Sequence, residues 1–488
     1  MPTGGQSVKK LSLILQSLKR PYEFIGTDTE ISNISYDSRQ VVKGSLFAAI
    51  KGFKTDGHHH IPQAIENGAS ALLVDQHVDH DLPQIITDDT RAAMAELSFA
   101  LYGRKEQHFK LSGITGTNGK TTITHLLYQI GKKAGKSPAL IGTLGVKAKD
   151  MVLEGVRTTP ESADLAMIFE QFNEKGVTSV FMEVSSHAIE LKRVHSLLFD
   201  VAVFTNLTQD HLDFHQDMEH YFRAKSKLFK QLKPGAKAIT NIDDPYGLRL
   251  YNNLISNKIS YAIDNTEADY HFSELSVNVK GIHGILKTPD GDISVNAPML
   301  GRFNAENIAG TIACWNTLYP GDTDLNDFEF CPVDGRMEMI RTSKGTAVID
   351  YAHTPDAMEK ALKAASDLEK RKKIITVFGC GGDRDKDKRP KMGAVADKYS
   401  DMIYLTNDNP RNEKPSMITD TILMGIDNKN KVMTIHDREK AIESAWKSSE
   451  PGDIVMILGK GAETYMEIKG DRVPFNDKEI MLKLEQKK

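Results

Sequence analysis

Cysteine and tryptophan are almost absent from this chain of 488 residues, which holds three of the first and two of the second. Cys314, Cys331 and Cys380 have spacings that suit neither a disulfide framework nor a zinc site, which points to a reducing cytoplasm. Long apolar runs are missing as well. None approaches the roughly 20 residues that cross a bilayer, and the N-terminus lacks the apolar core of a secretion signal. Neither charge sign dominates. The net charge is −4, with acids and bases interspersed, so no basic stripe offers itself to nucleic acid. No internal repeat and no low-complexity tract is present. What remains is a chain that is 40% hydrophobic, rich enough for true cores and long enough for about two to four domains.

The pattern of short apolar runs separated by helical stretches predicts an α/β protein in three parts, 1–107, 108–335 and 336–488. In the first part SLFAAI (45–50) and ALLVD (71–75) read as strands, with a helix near 60–68. In the second, TSVFMEV (178–184), DVAVFTNL (200–207) and KAITNI (237–242) read as buried parallel strands. The third opens with TAVIDYA (346–352) and a helix at 356–370. It continues with the strands KIITVFG (373–379), MIYLT (402–406) and DIVMILG (453–459). Strands alternating with helices predict parallel sheets wrapped by helices.

The most informative stretch is GITGTNGKTT (113–122), read as the end of a strand, a loop and a helix start. Its glycines let backbone N–H groups turn toward phosphate oxygens, and the helix start adds a positive dipole end. Lys120 can reach terminal phosphates and the Thr121 hydroxyl can hold Mg²⁺. The spacing is not the usual G-x-x-x-x-G-K-[ST], because position 114 is Ile. A plain glycine-rich turn would leave Lys-Thr-Thr unexplained.

Carboxylates and imidazoles follow the next two strands. Glu183 ends VFMEV, at the edge where open α/β sheets bind ligands. Asp210, His211, Asp213 and His215 follow the strand at 200–207. Mg²⁺ takes oxygen ligands and keeps waters and phosphates. Each residue alone reads as a satisfied loop polar group; clustered near a phosphate loop they read as a metal site. His58, His59 and His60 read as a loop or helix start. GCGGDRDKDKRP (379–390) lacks the G-x-G-x-x-G spacing of a dinucleotide site.

These motifs together resemble the Mur ligases of bacterial cell-wall synthesis over nearly the whole chain. The likeness is carried by DSR (37–39) with GSLF (44–47), GITGTNGKTT, TTPES (158–162), MEVSSHA (182–188), TNLTQDHLDFH (205–215) and HYFRAKSKLF (220–229). It continues through GRFN (301–304) with Asn307, GRME (335–338), DYAHTPD (350–356), GCGGDRDKDKRP, DNPR (408–411) and GKGAETY (459–465). The resemblance implies three domains: one for the UDP end of a substrate, a central P-loop-type ATP-binding parallel sheet, and a C-terminal Rossmann-like domain for an amino acid. It implies an ATP- and Mg²⁺-dependent ligase that joins the D-Glu side-chain carboxylate of UDP-N-acetylmuramoyl-L-Ala-D-Glu to the amine of a diamino acid through an acyl phosphate. No nucleic acid, no membrane insertion and a monomer are expected.

The resemblance also implies residue roles. Thr115, Gly116, Thr117, Asn118, Gly119, Lys120 and Thr121 match the ATP phosphate cradle, with Asn304, Arg336 and Asp350 around the nucleotide. Thr121, Glu183, His211 and Lys225 match metal partners. Lys120, His211 and Lys225 form the expected catalytic set. Ser38 matches a contact near the UDP end, and Thr158, Thr159, Ser185 and Arg193 match contacts to the muramoyl dipeptide. On its own Lys225 reads as a solvated helix lysine; the resemblance implies that it is carbamylated, giving an anion able to help hold Mg²⁺.

Asp408, Asn409, Pro410 and Arg411 match the motif of enzymes that add meso-diaminopimelate, and Arg389, Gly459 and Glu463 match further amino-acid contacts. A guanidinium can grip the far carboxylate of diaminopimelate through two parallel hydrogen bonds, and lysine has no such group. Ala462 departs from the pattern, standing where those enzymes carry His, so lysine stays open as the added residue. A folylpolyglutamate-type ligase and a non-catalytic nucleotide-binding scaffold are the other readings.

Overall fold

Aliphatic and β-branched runs of about five residues become strands buried on both faces, as in Ser179–Glu183, Ile374–Phe378 and Ile454–Leu458, where every residue is buried. A computed structural model describes residues 8–53, 55–103, 108–155, 157–278, 280–326, 328–342, 344–368 and 371–486. The chain divides into two units. The first takes the chain up to Gly113, then Gly135–Asp200 and Ala224–Ala236. The second takes Ile114–Ala134, Val201–Arg223 and the chain from Lys237 onward.

The first unit contains a five-stranded sheet in the order Glu23–Ile25, Gln84–Ile86, Ala69–Val74, Ser45–Ala48, Asn33–Ser35. Four of its strands are parallel and Glu23–Ile25 is antiparallel. The helix Thr90–Leu101, capped by the Asp89 side chain on Ala92 N–H, lays Ala93, Met94, Leu97 and Leu101 onto Leu46, Ala48, Leu73 and Ile85. The same unit holds Pro138–Gly142 parallel to Ser179–Glu183, and an antiparallel ribbon of Gly145–Ala148 and Met151–Leu153. Phe109, Phe169 and Phe172 cluster under the helix Ser162–Glu174.

In the second unit, the helix Lys120–Lys133 follows the glycine loop. From Ala238 the strand Leu232–Asn241 pairs in parallel with Lys258–Ala262, which pairs in parallel with Tyr270–Asn278, and Gly281–Lys287 and Ile293–Ala297 continue antiparallel. The long helix Arg302–Leu318 is mostly buried. The expectation of parallel sheets is therefore corrected at these hairpins, where paired residues such as Asn278 and Gly281 are too close in sequence for a crossover helix between them.

A six-stranded sheet in the order Glu338–Arg341, Thr346–Asp350, Ile454–Leu458, Ile374–Phe378, Met402–Leu405, Val432–Thr434 ends the chain. All but its first strand are parallel. Helices Pro355–Ser366, Lys388–Tyr399 and Pro415–Leu423 cover one face through Met358, Leu362, Met392, Ile418 and Ile422. Helices Arg438–Ser448 and Asp477–Gln486 cover the other through Ile442, Trp446, Ile480 and Met481. The helix expected at 356–370 stops at Ser366, with Asp367 as its C-cap. The loops after Phe378, Leu405 and Leu458 leave the carboxyl edge of three adjacent strands, where such sheets bind ligands. No described helix is long and apolar enough to cross a membrane.

Candidate functional site

The glycine loop is shaped by backbone more than by side chains. Gly116 has φ +146°, and a Cβ there would fall 1.8 Å from Thr205 Oγ1. Gly119 has φ +88°, and a Cβ there would fall 2.4 Å from Asn307 Oδ1. Only glycine fits either position. The loop is then anchored from the next strand. Thr117 N–H donates to Asn206 O at 2.8 Å and Asn118 N–H to Asn206 Oδ1 at 2.9 Å. Thr205 Oγ1 donates to Asn118 O at 2.6 Å. Thr115 is fully buried at the strand end, and its Oγ1 lacks a hydrogen-bond partner among the described residues.

Lys120 opens the helix and folds Nζ back onto the carbonyls of Gly116, at 2.9 Å, and Thr117, at 2.8 Å. Its ammonium therefore lies inside the loop that a phosphate would occupy. Thr121 Oγ1 accepts from Arg336 Nη2 at 3.1 Å, and the Arg336 guanidinium lies 4.3 Å over the Tyr351 ring. Arg336 Nη1 is buried with no hydrogen-bond partner among the described residues. Asp350 is buried and accepts from the N–H groups of Met337 and Ala352. Burial raises its pKa, against the pull of the Arg336 charge. Asn304 donates to Leu300 O and accepts from Asn307, which faces Gly119. Cradle glycines, a lysine inside the loop and an orphaned guanidinium nitrogen fit a nucleotide's phosphates.

The amino-acid candidates meet at the carboxyl edge of the last sheet. Asn409 is their hub: its Nδ2 donates to Glu463 at 3.0 Å, and its Oδ1 accepts from Lys460 Nζ and from Glu467 N–H. Lys460 Nζ also donates to Glu463 at 2.7 Å. Asp408 is buried against Gly459. The chain turns at Pro410, whose carbonyl accepts from Glu413 N–H. Arg411 has φ +51° and pairs with Glu467 at 2.8 Å and with Gly382 O at 2.8 Å. Arg389 is buried, binds Glu413 through two nitrogens and the Gly381 carbonyl through one, and keeps its Nε without a partner among the described residues. Two adjacent carbonyls, Gly381 and Gly382, thus hold two arginines.

The sequence reading missed the residue beneath this crevice. Arg438 is fully buried and paired with Asp477, and it donates to Asn407 O and Leu458 O. It ties down the residues just before Asp408 and Gly459. Burial works against its charge, but Asp477 outweighs burial and its pKa is raised. Its only signal in the sequence was an arginine opening a helix, which reads as surface charge.

In the first unit, Thr159 is buried and donates to the Glu183 carbonyl, while Ser185 N–H donates to Thr159 Oγ1. Ser185 caps the helix Ser186–Glu190. Thr158 lies 3.2 Å from Thr143, hydroxyl to hydroxyl. Arg193 donates to Glu161 at 2.9 Å and to Thr159 O at 3.2 Å. Arg91 and Arg157 also face Glu161, so three guanidiniums surround one buried carboxylate. Burial lowers the pKa of Arg91 and of Arg193. This cluster of guanidiniums beside Thr159, from which Arg157 reaches solvent, suits an anion, and Arg91 and Arg157 gave no motif by which to find them. Ser38 is buried in a short turn and donates to Gln63. His58 pairs with Asp56 and Asp75.

The metal candidates fall in both units, Glu183 and Lys225 in the first, Thr121 and His211 in the second. Glu183 accepts from Thr143 N–H at 2.9 Å and from its hydroxyl at 3.1 Å. His211 has φ +54° and a half-exposed ring beside Asp210. Burial opposes the Asp210 charge, but His211, His353 and Lys388 hold its pKa below the usual range. No group of three or more His, Cys, Asp or Glu forms a metal cage among the described residues. The donors are oxygen-rich and few, which suits Mg²⁺, an ion that keeps waters and phosphates. Lys225 corrects the reading of a solvated helix lysine: it lies in the helix Met218–Ser226 and is only 1% exposed. Such burial disfavours an ammonium and favours a lysine that is neutral, paired or modified.

Known proteins resemble this chain over most of its length. The profile "Mur ligase family, catalytic domain" matches residues 30–101, "Mur ligase middle domain" 114–315, and "Mur ligase, glutamate ligase domain" 335–461. The UDP-N-acetylmuramoyl-L-alanyl-D-glutamate–2,6-diaminopimelate ligase of Aquifex aeolicus is 42% identical over 92% of this chain and 93% of its own length. The ligase of the same name from Bacillus velezensis is 40% identical over 97% and 98%. A solved structure of a ligase of that name is 32% identical, covers 93% of this chain and 95% of its own, and superposes with a TM-score of 0.66.

Proposed function

The chain belongs to the Mur ligase family, and from that premise we propose that it adds meso-diaminopimelate to UDP-N-acetylmuramoyl-L-alanyl-D-glutamate. The reaction uses ATP and serves peptidoglycan synthesis in the cytoplasm. The observation that carries the reading is the loop 115–121, with Lys120 Nζ turned into it and two glycines that no other residue could replace. We assign 1–107 to the UDP end, 108–335 to ATP and 336–488 to the amino acid.

A carboxylate resists an incoming amine because its charge repels the amine and its leaving group is poor. A D-Glu side-chain oxygen attacks the γ-phosphorus, the bond to the β-phosphate oxygen breaks, and ADP leaves. The amine of the diamino acid then attacks the acyl carbon, phosphate leaves with the former carboxylate oxygen, and the amine sheds a proton. The protein's work is placement and neutralisation of charge. Lys120 and the loop N–H groups take the phosphate charge, and Arg336 reaches the same site from the third part. Thr158, Thr159, Ser185 and Arg193 hold the dipeptide end, and Ser38 lies toward the UDP end. Thr121, Glu183, His211 and Lys225 as its carbamate are the residues that would hold Mg²⁺, which supplies positive charge to the phosphates.

Arg411 favours diaminopimelate over lysine. It sits among residues that recognise an amino acid's charges, Asp408, Asn409 and Glu463, and its guanidinium suits a carboxylate that lysine lacks. Phosphate release from ATP with the UDP-linked dipeptide and either diamino acid tests the proposal. Release with diaminopimelate alone supports it, and release with lysine alone moves the specificity. Release only with glutamate and tetrahydrofolate supports the folate reading, and no release in any mixture ends the proposal.

A further inference from the structure

The far side of the amino-acid crevice carries one carboxylate that the reaction does not need. Glu467 lies in the strand Tyr465–Ile468, whose hairpin partner is Asp471–Pro474. Its Oε2 accepts from Arg411 Nε at 2.8 Å, while Arg411 Nη1 is engaged by the Gly382 carbonyl. A guanidinium offers a carboxylate two bidentate faces, one through Nε and a terminal nitrogen, the other through both terminal nitrogens. Glu467 stands on the first, and Gly382 takes a donor of the second. A substrate carboxylate that seeks two hydrogen bonds meets a guanidinium already in use.

Of these two occupants only one can leave. Gly382 binds through its backbone. Glu467 binds through a side chain that is 34% exposed. Its departure would not loosen Arg411, because the backbone there is fixed independently: Arg411 N–H donates to Glu467 O at 3.1 Å and Lys469 N–H to Arg411 O at 3.0 Å. The neighbouring carboxylate, Glu463, is bound by Lys460 and Asn409 and is not in the same position. Resting on the reading that this crevice takes a diamino acid, we propose that Glu467 is an internal stand-in for the far carboxylate of diaminopimelate and tempers selection for it. The substrate displaces Glu467 from Nε, and the freed carboxylate then faces the ammonium at the same end of the molecule. For lysine, Glu467 needs no displacement and is itself an acceptor for the terminal ammonium.

The test is steady-state kinetics of the full chain and of Glu467→Gln, with diaminopimelate and with lysine as alternative substrates. Removing the competitor lowers KM for diaminopimelate roughly threefold to fivefold, the scale of a half-exposed ion pair. KM for lysine rises or holds, and KM for ATP does not move. In an Arg411→Ala background the same substitution leaves KM for diaminopimelate unchanged, since there is no guanidinium to free. An unchanged or raised KM for diaminopimelate in Glu467→Gln, or an equal drop in the Arg411→Ala background, overturns the role of Glu467. Failure of the wild-type chain to use diaminopimelate is a different result, and it strikes the reading of the reaction itself.

Discussion

The phosphate loop and the amino-acid crevice solve the same problem, holding an anion, by opposite means. The loop does it within about ten consecutive residues. Its donors are backbone N–H groups and one lysine, and its shape is imposed by two glycines wedged against Thr205 and Asn307. The crevice draws on segments around Gly381, Asp408, Gly459 and Glu467, far apart in sequence. Its charged groups arrive already paired: Arg389 with Glu413, Arg411 with Glu467, Lys460 with Glu463. A backbone cradle binds any suitably spaced phosphate chain. A set of mutually neutralised side chains binds one ligand by exchanging internal partners for external ones, so it can be tuned one residue at a time.

The comparison breaks most sharply at Lys120. Lys120→Ala should lower kcat by at least about 100-fold, as expected when a main stabiliser of transition-state charge is lost. Its melting temperature should stay within a degree or two of the wild type. A large drop in melting temperature would mean that the lysine's bonds to Gly116 and Thr117 hold the fold and not only phosphate.

Lys225 is next. Lys225→Ala should lose most activity, and short carboxylates such as acetate should restore part of it by supplying the missing anion. Undiminished turnover, or loss that no carboxylate rescues, would separate this buried lysine from the chemistry.

On the crevice side the effect should be confined to one substrate. Arg411→Ala should raise KM for diaminopimelate on the order of 100-fold, because removing one partner of a charge-assisted contact costs about 2–4 kcal/mol. KM for ATP should stay within twofold. A parallel rise in both would merge the two regions into one functional element.

The smallest effect concerns the helix that backs the loop. Glu306 is partly buried beside Asn241, and desolvation pushes its carboxyl up to about 7 from 4.5. The folded state therefore keeps a proton that the unfolded state has lost, and stability falls as pH rises from 4.5 to 7. Glu306→Gln should remove up to about 3 kcal/mol of that fall. Melting curves should show the variant gaining on the wild type by a few degrees at pH 8 and not at pH 4.5. Parallel curves at all pH values would mean that Glu306 is ionised in the folded protein.

The loop was legible because its constraints are local: GITGTNGKTT encodes a strand end, two positive-φ turns and a helix start within one window. Four strands of the last sheet were legible for the same reason, each a short apolar run, whereas the edge strands Glu338–Arg341 and Val432–Thr434 were not read as strands. The antiparallel ribbons at 145–153 and 270–297 were not. The turn Thr288-Pro289-Asp290-Gly291-Asp292 carries a hairpin signal that the sequence reading passed over, whereas Lys149-Asp150, between Ala148 and Met151, carries none. Lys225 was misread by its own segment, because a helix lysine declares its burial only through what packs against it.

Composition and motif order by themselves determined the chain's class, its phosphate loop and the short list of residues that carry charge. Only the tertiary structure decided which charges neutralise one another: that Arg438 is pinned under the crevice, that three arginines share Glu161, and that Glu467 holds Arg411. Backbone geometry is written in neighbouring residues, whereas an electrostatic partner is chosen by distance in space, and sequence order does not record that distance.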